Sequence, residues 1–181
     1  MGVVEPGRAA QVREKGMTPL RNNGKALEGQ ITAALKAYQA DHAARCHRFA
    51  DTTAAGGKFL GPQPGDFMLL VPGFSIMIEA KSTDCGAGLL SLIRSSANAK
   101  KQVAQHRMWH RAGHPSWYWW ADVTAGEFRV YDGREVVRAQ FGEAAPGSLG
   151  GLLAGGRLGK AGAVKDELAA VAKMVKLLTA L

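Results

Sequence analysis

Pro64-Gly65-Asp66-Phe67-Met68-Leu69-Leu70-Val71-Pro72-Gly73-Phe74-Ser75-Ile76-Met77-Ile78-Glu79-Ala80-Lys81 decides how this chain folds. Two apolar runs flank Pro72-Gly73, and apolar runs bounded by Pro and Gly read as strands joined by a tight turn. If that pair forms the tip, cross-strand partners are residues whose numbers add to 145, as 72 and 73 do. Asp66 and Glu79 meet that condition. Their side chains then share one face, with Cβ atoms roughly 5 Å apart. Lys81, two residues beyond Glu79, projects from the same face. Two carboxylates and an ammonium therefore converge at the open end of a hairpin.

Opposed carboxylates repel, which destabilises the sheet or raises one pKa. A divalent cation relieves the repulsion, and oxygen ligands suit Mg²⁺. A surface ion-pair cluster, with Lys81 neutralising both acids, is the plainer alternative. The apolar flanks on both sides favour a purpose for the charges.

A chain of 181 residues suits one domain with a real core. Its 46% hydrophobic and 21% charged residues are ordinary for a globular protein. Lys and Arg number 23 against 15 acids, for a net charge of +8 and a pI near 9.8. That excess favours a polyanionic partner, nucleic acid first. Two cysteines, Cys46 and Cys85, are too few for a disulfide framework and read as free thiols. The N-terminus is polar and basic, without a visible signal peptide, and no apolar run is long enough to span a bilayer. A cytoplasmic protein is expected.

Residues 1–22 carry Arg8, Arg13, Lys15 and Arg21 and read as a flexible basic arm. Asn22 or Asn23 caps a helix to about Ala44, with Leu27, Ile31, Ala34, Leu35 and Tyr38 at helical spacing. Glu28 lies in its first turn, where an acid favours the helix dipole. Arg45 to Thr53 reads as a first strand, and Ala54 to Gly65 as a Gly/Pro-rich loop carrying Lys58. Beyond the hairpin a second helix is expected from about Asn98 to Ala112, with Ala99, Gln102, Val103, His106 and His110 on one face. Trp117-Tyr118-Trp119-Trp120 marks a strand from Ser116 to Thr124. Its aromatics suit base stacking, or core packing, which is the commoner role. Glu127 to Tyr131 and Glu135 to Phe141 read as two more strands of a meander. Residues 142–162 read as a Gly-rich linker after a domain spanning 23–141. Residues 163–181 hold a last helix that packs on the domain or on a dimer partner through Val164, Leu168, Val171, Val175 and Leu178. The order predicts an α/β fold, a mixed central sheet flanked by helices.

Helix, strand, hairpin with Asp then Glu-x-Lys, helix, strand resembles the restriction-endonuclease-like core of the PD-(D/E)XK nuclease superfamily. Pro64-Gly65-Asp66, followed thirteen residues later by Glu79-Ala80-Lys81, carries the resemblance. Ile78-Glu79-Ala80-Lys81-Ser82-Thr83 looks most like the RecU-type Holliday junction resolvases. The resemblance implies that Asp66, Glu79 and the Ala80 carbonyl ligate Mg²⁺, with Mn²⁺ as a substitute. Glu28 joins directly or through water. Lys81 positions or activates the attacking water. Gln102 matches the polar residue on the following helix, with Gln105 and His106 as competing matches. The family's junction-entering stalk has no clear counterpart, since Ala54 to Gly65 is short.

Phosphodiester hydrolysis needs an activated water and stabilisation of charge at phosphorus, which a carboxylate-bound metal and a lysine supply. Arg13, Lys15, Arg21, Lys25, Lys58, Lys100 and Lys101 are the expected contacts to a DNA backbone. The helical His106-x3-His110 pair lacks the Glu of a zinc-protease motif. Gly155 to Lys160 lacks a Gly-Lys-Ser/Thr phosphate loop. The expectation is a Mg²⁺-dependent, homodimeric Holliday junction endonuclease. A generic repair or restriction-type nuclease and a non-catalytic DNA-binding module on the same fold are the alternatives.

Overall fold

The hairpin forms in the register that its turn dictates. In a computed structural model, which describes residues 23–49, 63–83, 88–143, 149–158 and 165–180, β2 (Phe67–Val71) pairs antiparallel with β3 (Phe74–Thr83). Phe67 faces Ile78, Leu69 faces Ile76, and Val71 faces Phe74. Pro72 and Gly73 make the turn, and Gly73 takes φ +91°, a left-handed conformation that glycine adopts without a Cβ penalty.

Around this hairpin stand α1 (Asn23–Asp41), β1 (Arg45–Arg48), α2 (Leu89–Ser95), α3 (Ala97–Arg111), β4 (Ser116–Asp122), β5 (Glu127–Asp132), α4 (Gly133–Gln140), β6 (Leu152–Arg157) and α5 (Lys165–Thr179). The fold is α/β, with one six-stranded mixed sheet in the order β1-β2-β3-β4-β5-β6. Only β3 and β4 pair in parallel. The chain therefore runs helix, strand, hairpin, helices, parallel strand, as the resemblance implies.

Strand alternation sorts the side chains into two layers. On one face Phe67, Leu69, Ile76, Ile78, Trp117, Trp119, Phe128 and Val130 pack against Leu27, Ile31 and Leu35 of α1 and Val171 and Met174 of α5. The last helix thus packs on the domain. On the other face Tyr118, Trp120 and Tyr131 meet Leu89 and Ile93 of α2, Val103 of α3, and Val136 and Val137 of α4. The aromatics of β4 are core residues on both faces. Glu79 and Lys81 belong to the second face.

Three expectations are corrected. The third strand of the meander, Glu135 to Phe141, is helix α4 instead. The Asp132 side chain accepts from the Arg134 amide at 2.8 Å and caps that helix. Val136, Val137 and Ala139 then turn together toward the sheet and α2, burying on one side of the helix. Within the expected linker, Leu152–Arg157 forms β6 against β5. The glycines that suggested a loop permit that pairing: a Cβ on Gly156 would lie 2.9 Å from the Phe128 ring. The first strand ends at Arg48. The basic arm with Arg13, Lys15 and Arg21, the loop with Lys58, and Cys85 lie outside the described residues. Among the described residues no helix is long and apolar enough to cross a membrane.

Candidate active site

Asp66 precedes β2 and continues its ladder. Its amide donates to the Ile78 carbonyl at 3.0 Å, and its Oδ2 accepts from the Ala80 amide at 2.7 Å. A side-chain acceptor here replaces a backbone one, which ties the carboxylate to the strand carrying Glu79. The preceding Gly65 is buried, because a Cβ there would meet the Ile78 carbonyl oxygen at 3.0 Å and the Met77 sulfur at 2.9 Å. Gly65→Ala is therefore expected to displace Asp66. It should destabilise the chain by about 1–2 kcal/mol, read as a shift of the denaturant midpoint at unchanged slope.

Glu79 lies in the middle of β3 with 0% of its side chain exposed, and its Oε1 accepts from Nζ of Lys81, whose side chain is 19% exposed. Its Oε2 has no hydrogen-bond partner among the described residues. Burial pushes the Glu79 carboxyl up to about 8; the Lys81 ammonium pulls it down and Asp66 pushes it further up. The sequence expectation that Asp66, Glu79 and Lys81 converge on one face is met in geometry.

Glu28, expected to join the metal shell directly or through water, is engaged elsewhere in the metal-free chain. It sits on α1, against the opposite face of the sheet, and its Oε2 pairs with Nη2 of Arg48. Among the described residues no three His, Cys, Asp or Glu side chains converge as a metal shell. The donor set still fits Mg²⁺, which takes one or two carboxylates and keeps its other positions for water and phosphate oxygens. The unpartnered Oε2 of Glu79, buried beside Asp66, is the atom such an ion would satisfy.

On α3 the three competing polar residues separate by burial. Gln102 and Gln105 are half-buried, whereas His106 is fully buried. The His106 ring lies 4.6 Å from the Tyr118 ring. Its Nδ1 is 2.8 Å from Ser116 Oγ, which in turn is 2.9 Å from His110 Nε2. Burial pushes His106 down to about 3, helped by the charges of His110 and Lys81, so the imidazole is neutral. Lys25, Lys100 and Lys101 are exposed, the last two on α3, which also bears Arg107 and Arg111 and no acid.

Tyr118 escaped the sequence reading as a site residue. The parallel register pairs it with Glu79, and its buried hydroxyl, like His106 Nε2, has no hydrogen-bond partner among the described residues. Its pKa rises well above the ordinary value, first through burial and then through the charges of Glu79 and Asp66. No local signal identifies such a residue. A parallel pairing is closed by a long crossover, and no turn sets its register.

No family model matches the sequence, and neither does any curated protein. Among solved structures the chain is similar to Hjc, a Holliday junction resolvase from the archaeal hyperthermophile Archaeoglobus fulgidus. The two share 17% identity over 62% of this chain and 78% of that one, with a TM-score of 0.41.

Proposed function

We propose that this chain is a metal-dependent endonuclease that hydrolyses DNA phosphodiester bonds, with branched DNA of the Holliday junction type as its substrate and a homodimer as its working form. The observation that carries the reading is the fully buried Glu79, unpartnered at Oε2, held between Asp66 and Lys81 on one sheet face. An ionised carboxylate is costly to bury, and a structural ion pair does not need a second acid beside it. Asp66, Glu79 and the Ala80 carbonyl would hold a Mg²⁺, which when bound supplies Lewis acidity and a water of lowered pKa. Lys81 keeps an ammonium at the solvent edge of the buried acids, where charge develops on an attacked phosphate. Asp66 fixes the strand through the Ala80 amide, and Tyr118, paired with Glu79 across the sheet and backed by the His106 ring, helps keep that carboxyl out of water. The acid-free α3, with Lys100, Lys101, Arg107 and Arg111, offers cations for backbone phosphates without base readout. The junction preference follows the likeness of the Glu79-Ala80-Lys81 motif to resolvases.

The test is a panel of four-way junction, flap, nicked and plain duplex DNA with Mg²⁺. The wild-type chain is expected to cut the junction fastest. Lys81→Ala and Asp66→Asn should each lose roughly a hundred- to a thousandfold in rate, while binding in EDTA stays within about threefold. Equal cutting by wild type and both variants would remove the site from the reaction. Duplex cut as fast as junction would leave a generic nuclease, and DNA binding without hydrolysis at any Mg²⁺ concentration would leave a binding module.

A further inference from the structure

Sheet register assigns a cation to this site that the motif does not contain. Lys81 pairs with Trp120 across β3 and β4, and Trp120 pairs with Arg129 across β4 and β5. Direct partners project from one face, so Lys81, Trp120 and Arg129 form a row on the face that carries Glu79. The row spans two strand spacings, about 10 Å. Trp120 is buried in the middle, its Nε1 donating to Thr83 Oγ1 at 3.1 Å. Arg129 ends the row with 47% of its side chain exposed.

Three contacts orient the guanidinium and leave part of its five-donor fork free. Its carbon lies 5.6 Å from the Trp120 ring centroid, a stacking that holds the planar fork while leaving its edges free. Tyr131, the next residue on this face of β5, presents its oxygen and raises the arginine pKa, with Glu127 adding to it. Glu127 Oε2 stands at 3.6 Å, itself 49% exposed. An exposed pair of that length contributes little, and a phosphate replaces it with bidentate, charge-assisted bonds.

We propose that Arg129 is a second phosphate contact of the site, gripping the nucleic-acid backbone within a few nucleotides of the phosphate that Lys81 faces; the inference rests on the DNA reading above. Phosphates recur every 3.4 Å of helix axis along a strand, so a fixed cation about 10 Å away meets a neighbour of the scissile group, not the group itself. Arg129 then sets the position of the strand and the KM, and leaves the chemical step to Asp66, Glu79 and Lys81.

The experiment measures binding of a fluorescein-labelled duplex and a four-way junction to the full chain in EDTA across a salt series, followed by cleavage kinetics with Mg²⁺. Arg129→Gln is expected to weaken binding about tenfold and to make the plot of log K against log salt shallower by about one unit. It should raise KM with kcat within about twofold, at an unchanged thermal midpoint. Arg129→Lys should regain the salt slope but only part of the affinity, since an ammonium lacks the fork. An Arg129→Gln chain with unchanged affinity and slope overturns the proposal and reduces Arg129 to a surface partner of Glu127. A wild-type chain that binds DNA but never cuts it overturns the hydrolytic reading alone, with Arg129 still judged by the binding arm. A wild-type chain that binds neither probe overturns both.

Discussion

Glu79→Gln is expected to make the metal-free chain more stable at pH 8 by roughly 4 kcal/mol while it destroys hydrolysis. The stabilisation follows from the sign of the linkage. Glu79 has a folded pKa of about 8 against an ordinary 4.5, so between those values the folded chain holds a proton that the unfolded chain has released. Stability then falls with rising pH across that window, by about 1.4 kcal/mol per unit, and is fully present below 4.5. His106 works in the opposite sense. Its folded value of about 3 lies below the ordinary 6.5, so the unfolded chain binds the extra proton and stability is lost as pH falls from 6.5. His110, also lowered by burial, adds to that loss. Where the windows of Glu79 and His106 overlap, their slopes cancel. Urea unfolding in EDTA should therefore show its shallowest pH dependence between about pH 4.5 and 6.5, tilted by His110 toward lower stability at the acid end, with steeper drops on either side.

The glutamine variant keeps the size of the side chain and cannot ionise, so it should lose the drop above pH 6.5 and keep the one on the acid side. Lys81, at the solvent edge, is expected to reach water when its partner is neutralised. Added Mg²⁺ should stabilise the wild-type chain at pH 8 and leave the variant unmoved, since an ion bound only to the folded state adds its binding free energy. A wild-type chain as stable at pH 8 as at pH 6, or a variant that falls in parallel with it, would show that Glu79 is not the strained carboxylate of this site.

Gly133→Ala is expected to be the most damaging single methyl in the described structure. Gly133 opens α4 with a Cβ position that overlaps Ser116 Oγ and lies 2.9 Å from the Ser116 carbonyl oxygen and 3.1 Å from His110 Nε2. Helix propensity favours alanine by only about 0.5–1 kcal/mol. The added methyl must instead push α4 off β4, or drive the Ser116 hydroxyl away from both histidines. Overpacking costs about 1–3 kcal/mol and each buried hydrogen bond about 1 more. The net effect should be roughly 2–4 kcal/mol, or a midpoint lowered by about 10 °C for a chain of this size. Gly29→Ala is the control. Gly29 is exposed on α1 with nothing within 4 Å of its Cβ position, so alanine should stabilise by about 0.5–1 kcal/mol. A Gly133→Ala midpoint within the error of wild type would mean that α4 does not pack on Ser116 as described.

These expectations divide by how local their causes are. Asp66, Glu79 and Lys81 were legible as a group because a two-residue turn fixes hairpin register and strand alternation fixes the face. The apolar faces of α1 and α3 and the aromatic strand β4 follow equally from periodicities of 3.6 and 2. Asp132-Gly133 stands where the expected meander needs a turn between strands. The same dipeptide caps a helix, and what selects the helix is the burial of Val136, Val137 and Ala139 against elements distant in sequence. Gly155-Gly156 was misread as linker for a related reason. Glycine marks a loop by default, and only the approach of Phe128 and Asp166 makes it a requirement for an edge strand. The ion pair of Glu28 with Arg48, which joins α1 to β1, likewise had no signal in the sequence.

The sequence by itself determined the hairpin, its register, and the meeting of two acids with a lysine, since each depends on residues within a few positions of one turn. Only the tertiary structure decided that Glu79 is buried, that Tyr118 stands beside it with the His106 ring against that tyrosine, and that Arg129 stands in line with Lys81. Those facts depend on a parallel pairing of β3 with β4 and on helices laid over one face. Both are closed by crossovers whose geometry is set by the packing of the whole core and not by any local pattern.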